Sequence, residues 1–305
     1  MRTRDPGKRG QALILVLWTL LVLSMAVFGV VEIVELSIEH TSYADRSLQA
    51  RGLAMSGLAL GLNPQLLRDD PLLTQQSPDG STFKVTIASD GARMNLNYVL
   101  LSKHKEILVN LFTKWGLNVQ QADHVSDCLY DWITPGDQKS LNGAKAQDYV
   151  NAGLTQTPTY KPFDTFEEVR LVMGIDLLDK VKPNWQDSFT LYSNGPLNVN
   201  EAPPDLIAAI FSLDPQRVAF FTNARNGRDG IVGTYDDVKV TSASTFASQL
   251  GIGTQTMKEL GNQISMGDPH RRIESVGQSQ GTQVTIDVVT RLNTSPIEYF
   301  LWSEQ

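Results

Sequence analysis

The chain has 305 residues, 41% of them hydrophobic and 19% charged, an ordinary globular composition with room for one or two sizeable cores. Its net charge is −7, and −10 once the basic leader of residues 1–10 is set aside. So acidic a remainder argues against general nucleic-acid affinity, which needs Lys and Arg to neutralise phosphate. Cys128 is the only cysteine, which excludes an intrachain disulfide and a cysteine metal cluster.

Arg2, Arg4, Lys8 and Arg9, offset only by Asp5, precede an uncharged run of apolar or small residues from 12 to 31. As a helix that run is long enough to cross a hydrocarbon core. It has no small-residue exit of the signal-peptidase kind, so it reads as a retained span. Positive flanks stay inside, which predicts a cytoplasmic leader and an extracytoplasmic remainder.

No proline occurs between Pro6 and Pro64. Glu32, Glu35 and Glu39 fall on one helix face, and Ala44, Leu48, Met55, Leu58 and Leu62 follow a helical stripe. The spacing predicts one helix over 11–61, roughly 75 Å long, its second part packing on a head through that stripe. Residues 64–81 read as a loop. Phe83, Val85 and Ile87 alternate as a strand, and Asp90-Gly91 is expected to turn a hairpin into a second strand through Met94 and Leu96.

Helices are expected through Ile107, Leu108, Leu111, Phe112 and Trp115, and over 125–132. After a polar loop, 135–148, a short helix is expected through Phe166, Val169 and Met173. Short extended pieces at 189–192 and 197–199 precede two more helices. Asn200 is expected to cap the first, which carries Leu206, Ile207, Ile210 and Phe211; Asp214-Pro215 opens the second and Asn226-Gly227 closes it. The tail returns to strands at Val284, Ile286 and Val288, then at Ile297, Tyr299 and Leu301. The economical fold class is α+β: a long N-terminal helix on an antiparallel sheet built from both ends of the chain, with a large helical insertion between them.

No catalytic constellation stands out. His40, His104, His124 and His270 are scattered, and no metal-binding, nucleophile-elbow or phosphate-loop motif occurs. Asp131, Asp137 and Asp148 offer oxygen ligands to calcium, but Lys139 and Lys145 compete, and a solvated loop with a Pro135-Gly136 turn is the favoured reading. Asp229, Asp236 and Asp237 make a weaker case. Cys128 shares a helical face with Val125, Leu129 and Trp132, which predicts a buried free thiol. Leu250-Gly251-Ile252-Gly253 resembles the hairpin of a helix-hairpin-helix module, as does the stretch from Leu197 to Asn200 with its two following helices. Few basic residues lie near (Lys239, Lys258), and Asp214-Pro215 is hostile to phosphate, so packing is favoured over DNA binding.

A leader ending in Gly10, followed by Gln11 and a bare apolar helix, resembles a type IV pilin-like precursor. The residues Ala12-Leu13-Ile14-Leu15-Val16-Leu17-Trp18, Asp90-Gly91-Ala92-Arg93-Met94-Asn95-Leu96-Asn97 and Asn142-Gly143-Ala144 narrow the resemblance. Together with Cys128 to Ile133, Asp148-Tyr149, Phe166-Glu167-Glu168-Val169-Arg170-Leu171 and Pro196-Leu197-Asn198-Val199-Asn200-Glu201-Ala202, they point to the K-type minor pseudopilins of type II secretion.

The resemblance implies that a prepilin peptidase cuts after Gly10 and that Gln11 becomes the methylated N-terminus. Leu15, Trp18, Leu21 and Phe28 would then lie on a membrane and assembly helix. Leu15 stands where most pilins carry glutamate, a departure that the K type resembles and that goes with the filament tip. Thr134, Gly136 and Lys145 stand where this family commonly has Asp or Glu, which argues against calcium; no other cofactor is implied.

The implied partners are the I- and J-type minor pseudopilins, the peptidase, the inner-membrane assembly platform and, before assembly, membrane lipid, with no nucleic acid. The implied location is the inner membrane with the head in the periplasm, then the pseudopilus tip. The implied division is a leader (1–10), an N-terminal helix (11–61, spanning over 11–31), a pilin-like head (62–100 with 271–305) and a helical insertion (101–270). The alternatives are a membrane-tethered helix-hairpin-helix DNA binder and a single-span periplasmic binding protein.

Overall fold

A computed structural model describes residues 7–291 and 294–305, with the helical backbone alone at 7–13 and 33–42. Helix α1 (Gly7–Gly61) is continuous, as the proline-free stretch predicts. The chain then enters strands β1 (Thr74–Gln76) and β2 (Thr82–Ser89), the first of them inside the segment expected to be loop.

Next come β3 (Met94–Asn95), α2 (Leu96–Leu101), α3 (Lys105–Trp115), α4 (Val119–Ile133), α5 (Ala146–Asn151), α6 (Phe166–Val169) and α7 (Asp176–Val181). They are followed by β4 (Phe189–Thr190), β5 (Leu197–Asn198), α8 (Pro204–Phe211), α9 (Pro215–Arg225), α10 (Ala243–Leu250), α11 (Thr254–Leu260) and β6 (Ile264–Ser265). Strands β7 (His270–Ser279), β8 (Thr282–Arg291) and β9 (Glu298–Glu304) end the chain.

The main sheet has the order β1-β2-β7-β8-β9, every neighbouring pair antiparallel. β2 pairs with β7 from Thr82↔Gln278 to Ser89↔Arg271, so strands from opposite ends of the chain lie side by side. Everything from residue 90 to 269 leaves the sheet at one end of this pair and returns there. This is the α+β arrangement expected, with its helical insertion.

Four local expectations are corrected. Asp90-Gly91 does not turn a hairpin: residues Asp90–Ala92 form a single 3-10 turn, and β3 pairs in parallel with β4 instead. Leu96 starts a helix, capped by the Asn95 side chain, which accepts from Tyr98 N at 3.0 Å. Met173 lies beyond the short helix that ends at Val169. Asn200 does not cap α8, whose cap position is Pro203; it is buried, its amide donating to Val240 O and Met266 O and accepting from Val240 N.

Two apolar cores form among the described residues. The first joins Ala50, Ala54 and Leu58 of α1 to Val85, Ile87, Ile273, Val284, Ile286 and Val288 of the sheet. The second, larger core fills the helical insertion around Phe112, Trp132, Tyr149, Trp185 and Phe189. Its indoles are satisfied as burial requires: Trp132 Nε1 donates to Glu168 at 2.9 Å and Trp185 Nε1 to Asp179 at 2.9 Å. Local signals place its helices. Asn118 and Gln121 form a reciprocal capping box on α4, Gly116 ends α3 at φ 115°, and Asp214 accepts from Gln216 N and Arg217 N to start α9.

Candidate assembly helix and its seat on the head

The apolar segment Ile14–Glu32 is wholly unburied, and it is long and apolar enough to cross a membrane. Leu15, Trp18, Leu21 and Phe28 lie on it, 66%, 64%, 55% and 76% exposed. So large an unbroken apolar surface is unstable in water and calls for lipid or a partner. A Cβ placed on Gly29 would meet no atom within 4 Å, so this glycine makes no close packing inside its own chain. Gly10 and Gln11 continue the helical backbone, and the Gln11 side chain lies outside the described residues.

The second half of α1 sits on the sheet, though not through the expected stripe. Ala44, Leu48 and Met55 face outward, and among that set Leu58 is buried. The seat is made of small residues: Ala50, Ala54, Gly57 and Gly61 cross β7 at Ile273, Ser275 and Gly277. A Cβ on Gly277 would stand 2.0 Å from Ala50 O and 2.5 Å from Ala54 N, so backbone meets backbone there. Ser275 Oγ donates to Ala54 O at 2.7 Å, and Ser279 Oγ donates to Gln49 Oε1 at 2.9 Å. At the helix end the Arg271 guanidinium donates to Gly61 O, Asn63 O and Pro64 O, a cation on the negative end of the helix dipole. Burial holds the pKa of Arg271 below the ordinary arginine value.

This seat fixes direction. Gly277 lies against residues 50–54 and Ile273 against Gly61, so the insertion leaves the sheet past the C-terminal end of α1. The apolar segment and the helical insertion therefore lie at opposite ends of the molecule. Charged groups fasten the junction: Arg68 pairs with Glu201, and Glu201 also accepts from Ser89 N at 3.0 Å. Asp90 accepts from Thr190 and lies 3.8 Å from Arg272; burial raises its pKa above the ordinary carboxylate value.

The sequence-predicted calcium residues do not converge. Asp131 is buried and accepts from Ser140 N and Oγ at 2.9 Å each, and Asp148 pairs with Lys139 at 2.8 Å. Asp137 is exposed. The Lys145 ammonium donates to Asp131 O at 3.0 Å and Thr134 O at 2.6 Å and lies 5.0 Å from the Tyr160 ring centre. A side-chain cation thus already stands on the carbonyls at the end of α4. Among the described residues no three His, Cys, Asp or Glu side chains gather as a metal shell, so these residues do not fit a calcium site.

The glycine hairpin after α10 is similarly engaged. Gly251 N donates to Ser248 O and Ile252 N to Ala247 O, and Arg217 packs over Gly251. These amides close a helix end instead of facing a phosphate. Cys128 is fully buried, and desolvation with nearby Asp131 and Asp127 pushes its pKa up to about 12.

Residues 92–183 match the family model of the type II secretion system protein K. Type II secretion system protein K of Pseudomonas aeruginosa is 25% identical over 93% of this chain and 92% of its own length. Both likenesses are to the type II secretion protein K family. Its fold agrees: a chain in the crystal structure of the GspK–GspI–GspJ complex from the enterotoxigenic Escherichia coli type 2 secretion system superposes with a TM-score of 0.63. That match has 16% identity and covers 89% of this chain and 99% of that one. The likeness is thus to a minor pseudopilin of type II secretion, and the exposed N-terminal helix of this chain fits a single-pass membrane anchor.

The small-residue seat is the functional feature that apolar periodicity did not find. Its available signal was the spacing Ala50, Ala54, Gly57, Gly61, a small-residue stripe at helical intervals.

Proposed function

We propose that this K-family protein caps the tip of the pseudopilus and helps start its assembly. The observation that carries this reading is the placement of the two functional ends. The helix that enters a filament projects from one end of the head, and the insertion, residues 90–269, stands beyond the other. Pilin-like subunits add below one another along their helices. A body of this size past the end of α1 fills the space that the head of a subunit above would need. The basic leader keeps its N-terminus cytoplasmic and the head periplasmic before assembly. Prepilin peptidase cuts after Gly10, Gln11 becomes the methylated N-terminus, and the assembly platform extracts the helix.

Leu15 supports the tip position by its chemistry. A carboxylate inside a bilayer is expensive without a partner, and a subunit with no neighbour above has none to offer. I- and J-type minor pseudopilins are the lateral partners, and no cofactor is required; the Lys145 ammonium already stands on the carbonyls of Asp131 and Thr134. Assembly tests this reading. Raising the dose of this chain against a constant major pseudopilin supply should shorten pseudopili and increase their number; unchanged length and number would refute capping. Mass analysis of the membrane-extracted chain should show a methylated Gln11 terminus only when prepilin peptidase is present; an uncut Met1 would refute processing.

A further inference from the structure

The two apolar cores do not merge across the joint between sheet and insertion. Leu66 and Ile87 belong to the sheet core and Met266 packs on the insertion core, yet all three line one cavity of about 460 Å³. Arg68, Asn200 and Asp237 add polar groups to its wall. The Oδ1 atom of Asp237 is buried and has no hydrogen-bond partner among the described residues. A joint packed to interior density would hold neither the void nor the orphaned oxygen.

Little chain crosses this joint. One crossing is the Asp90–Ala92 turn, which packs against β7 on the sheet side and against β5 on the insertion side. The other is the irregular return through residues 266–269. The two crossings touch, because a Cβ on Gly91 would stand 2.5 Å from Asp268 Cβ. Asp268 in turn accepts from Asn194 N at 2.9 Å and from His270 N at 2.6 Å. Two short crossings in contact make a single axis, the geometry in which a few residues absorb a rotation.

Polar bonds hold the insertion at one angle about that axis. Arg68, just past α1, pairs with Glu201 of the insertion and donates to Val232 O at 2.9 Å. Glu201 also accepts from Ser89 N at 3.0 Å, and Asn198 Nδ2 donates to Ser89 Oγ at 3.2 Å. The Arg68 and Glu201 side chains are 22% and 25% exposed, so water reaches this pair at the wall of the cavity. A joint fastened by polar groups between separate cores leaves the two bodies able to move against each other.

We propose that the insertion is a hinged body, and that the Arg68–Glu201 pair is the latch that holds it closed over the cavity. It swings on the sheet about the Asp90–Ala92 turn and the 266–269 return. Releasing the latch widens the cavity and re-aims the insertion while both cores stay folded. The hinge belongs to the head alone and does not depend on the tip position.

Cys128 is buried, so spin labels attach to introduced thiols alone. Labels go on Lys84→Cys of the sheet and on Gln147→Cys and Ser248→Cys of the insertion, all exposed positions, two at a time in the full chain in detergent. With the latch intact, pulsed dipolar spectroscopy should give three narrow distance distributions. Arg68→Met and Glu201→Ala should each shift or broaden at least one of the two sheet–insertion distances by several ångström. The distance inside the insertion should stay narrow and the cooperative melt should persist. Sheet–insertion distances as narrow in both variants as with the latch intact would overturn the proposal. Distances already broad with the latch intact, and unmoved by either variant, would leave no latch and overturn it too. Broadening inside the insertion as well would assign the pair to the insertion's own fold and remove the hinge.

Discussion

Lys145 is 7% exposed, yet its ammonium is fully engaged, because two carbonyls at the end of α4 and the Tyr160 ring receive it. Replacing it with Met keeps the stem and leaves those carbonyls without a donor, at a cost of about 2 kcal/mol. Urea melts should show that loss, while chelator should leave the wild-type midpoint unchanged; a chelator-sensitive midpoint would restore a metal to the loop. Cys128 behaves differently. Its pKa rises from an ordinary 9.0 in the unfolded chain to about 12 in the fold. At pH 8 the native thiol is protonated and buried, so it should react with a thiol reagent only after unfolding. Because the folded value is the higher one, the unfolded state ionises first as pH rises. Stability therefore falls progressively above pH 9, and Cys128→Ala should remove that part of the alkaline slope. The buried thiol was legible from the shared face of Val125, Cys128, Leu129 and Trp132. Lys145 was visible as a competitor for calcium, but its bond to the backbone of Asp131 depends on how the loop folds back.

Among the elements, the contact between α1 and β7 holds the assembly helix to the head. Gly277→Ala pushes a methyl into the backbone of Ala50 and Ala54, which cannot move aside as a side chain would. We expect a loss of about 3 kcal/mol or more and a helix that comes loose under protease. Gly29→Ala, which meets nothing within 4 Å, should leave head stability unchanged; equal effects of the two substitutions would refute the seat.

The same contact explains what sequence patterning missed. Apolar periodicity selects Leu48 and Met55, whereas the buried face is carried by Ala and Gly because two backbones approach closely. β7 escaped for a related reason: its buried positions under α1 include Ser275, Gly277 and Ser279, which break the apolar alternation that marks β2 and β8. The Asp90-Gly91 turn was visible as a turn. Its partner was not, because β3 pairs with β4 across almost a hundred residues of chain.

At the scale of the whole molecule, the sheet closes between β2 and β7, and the long segment between them forms a second body with its own core. Patterning showed strands at both ends of a helical middle, and so the insertion; it did not show that the insertion stands past the end of α1. That placement follows from the direction in which α1 crosses β7 and from Arg271 at the helix terminus. It makes the molecule polar, with a membrane and assembly helix at one end and a large body at the other. Gold-labelled antibody against the insertion, viewed on isolated pseudopili, reads the tip position without an assembly assay. A capping subunit should give label at one end of each filament; label spaced along filament sides would refute capping.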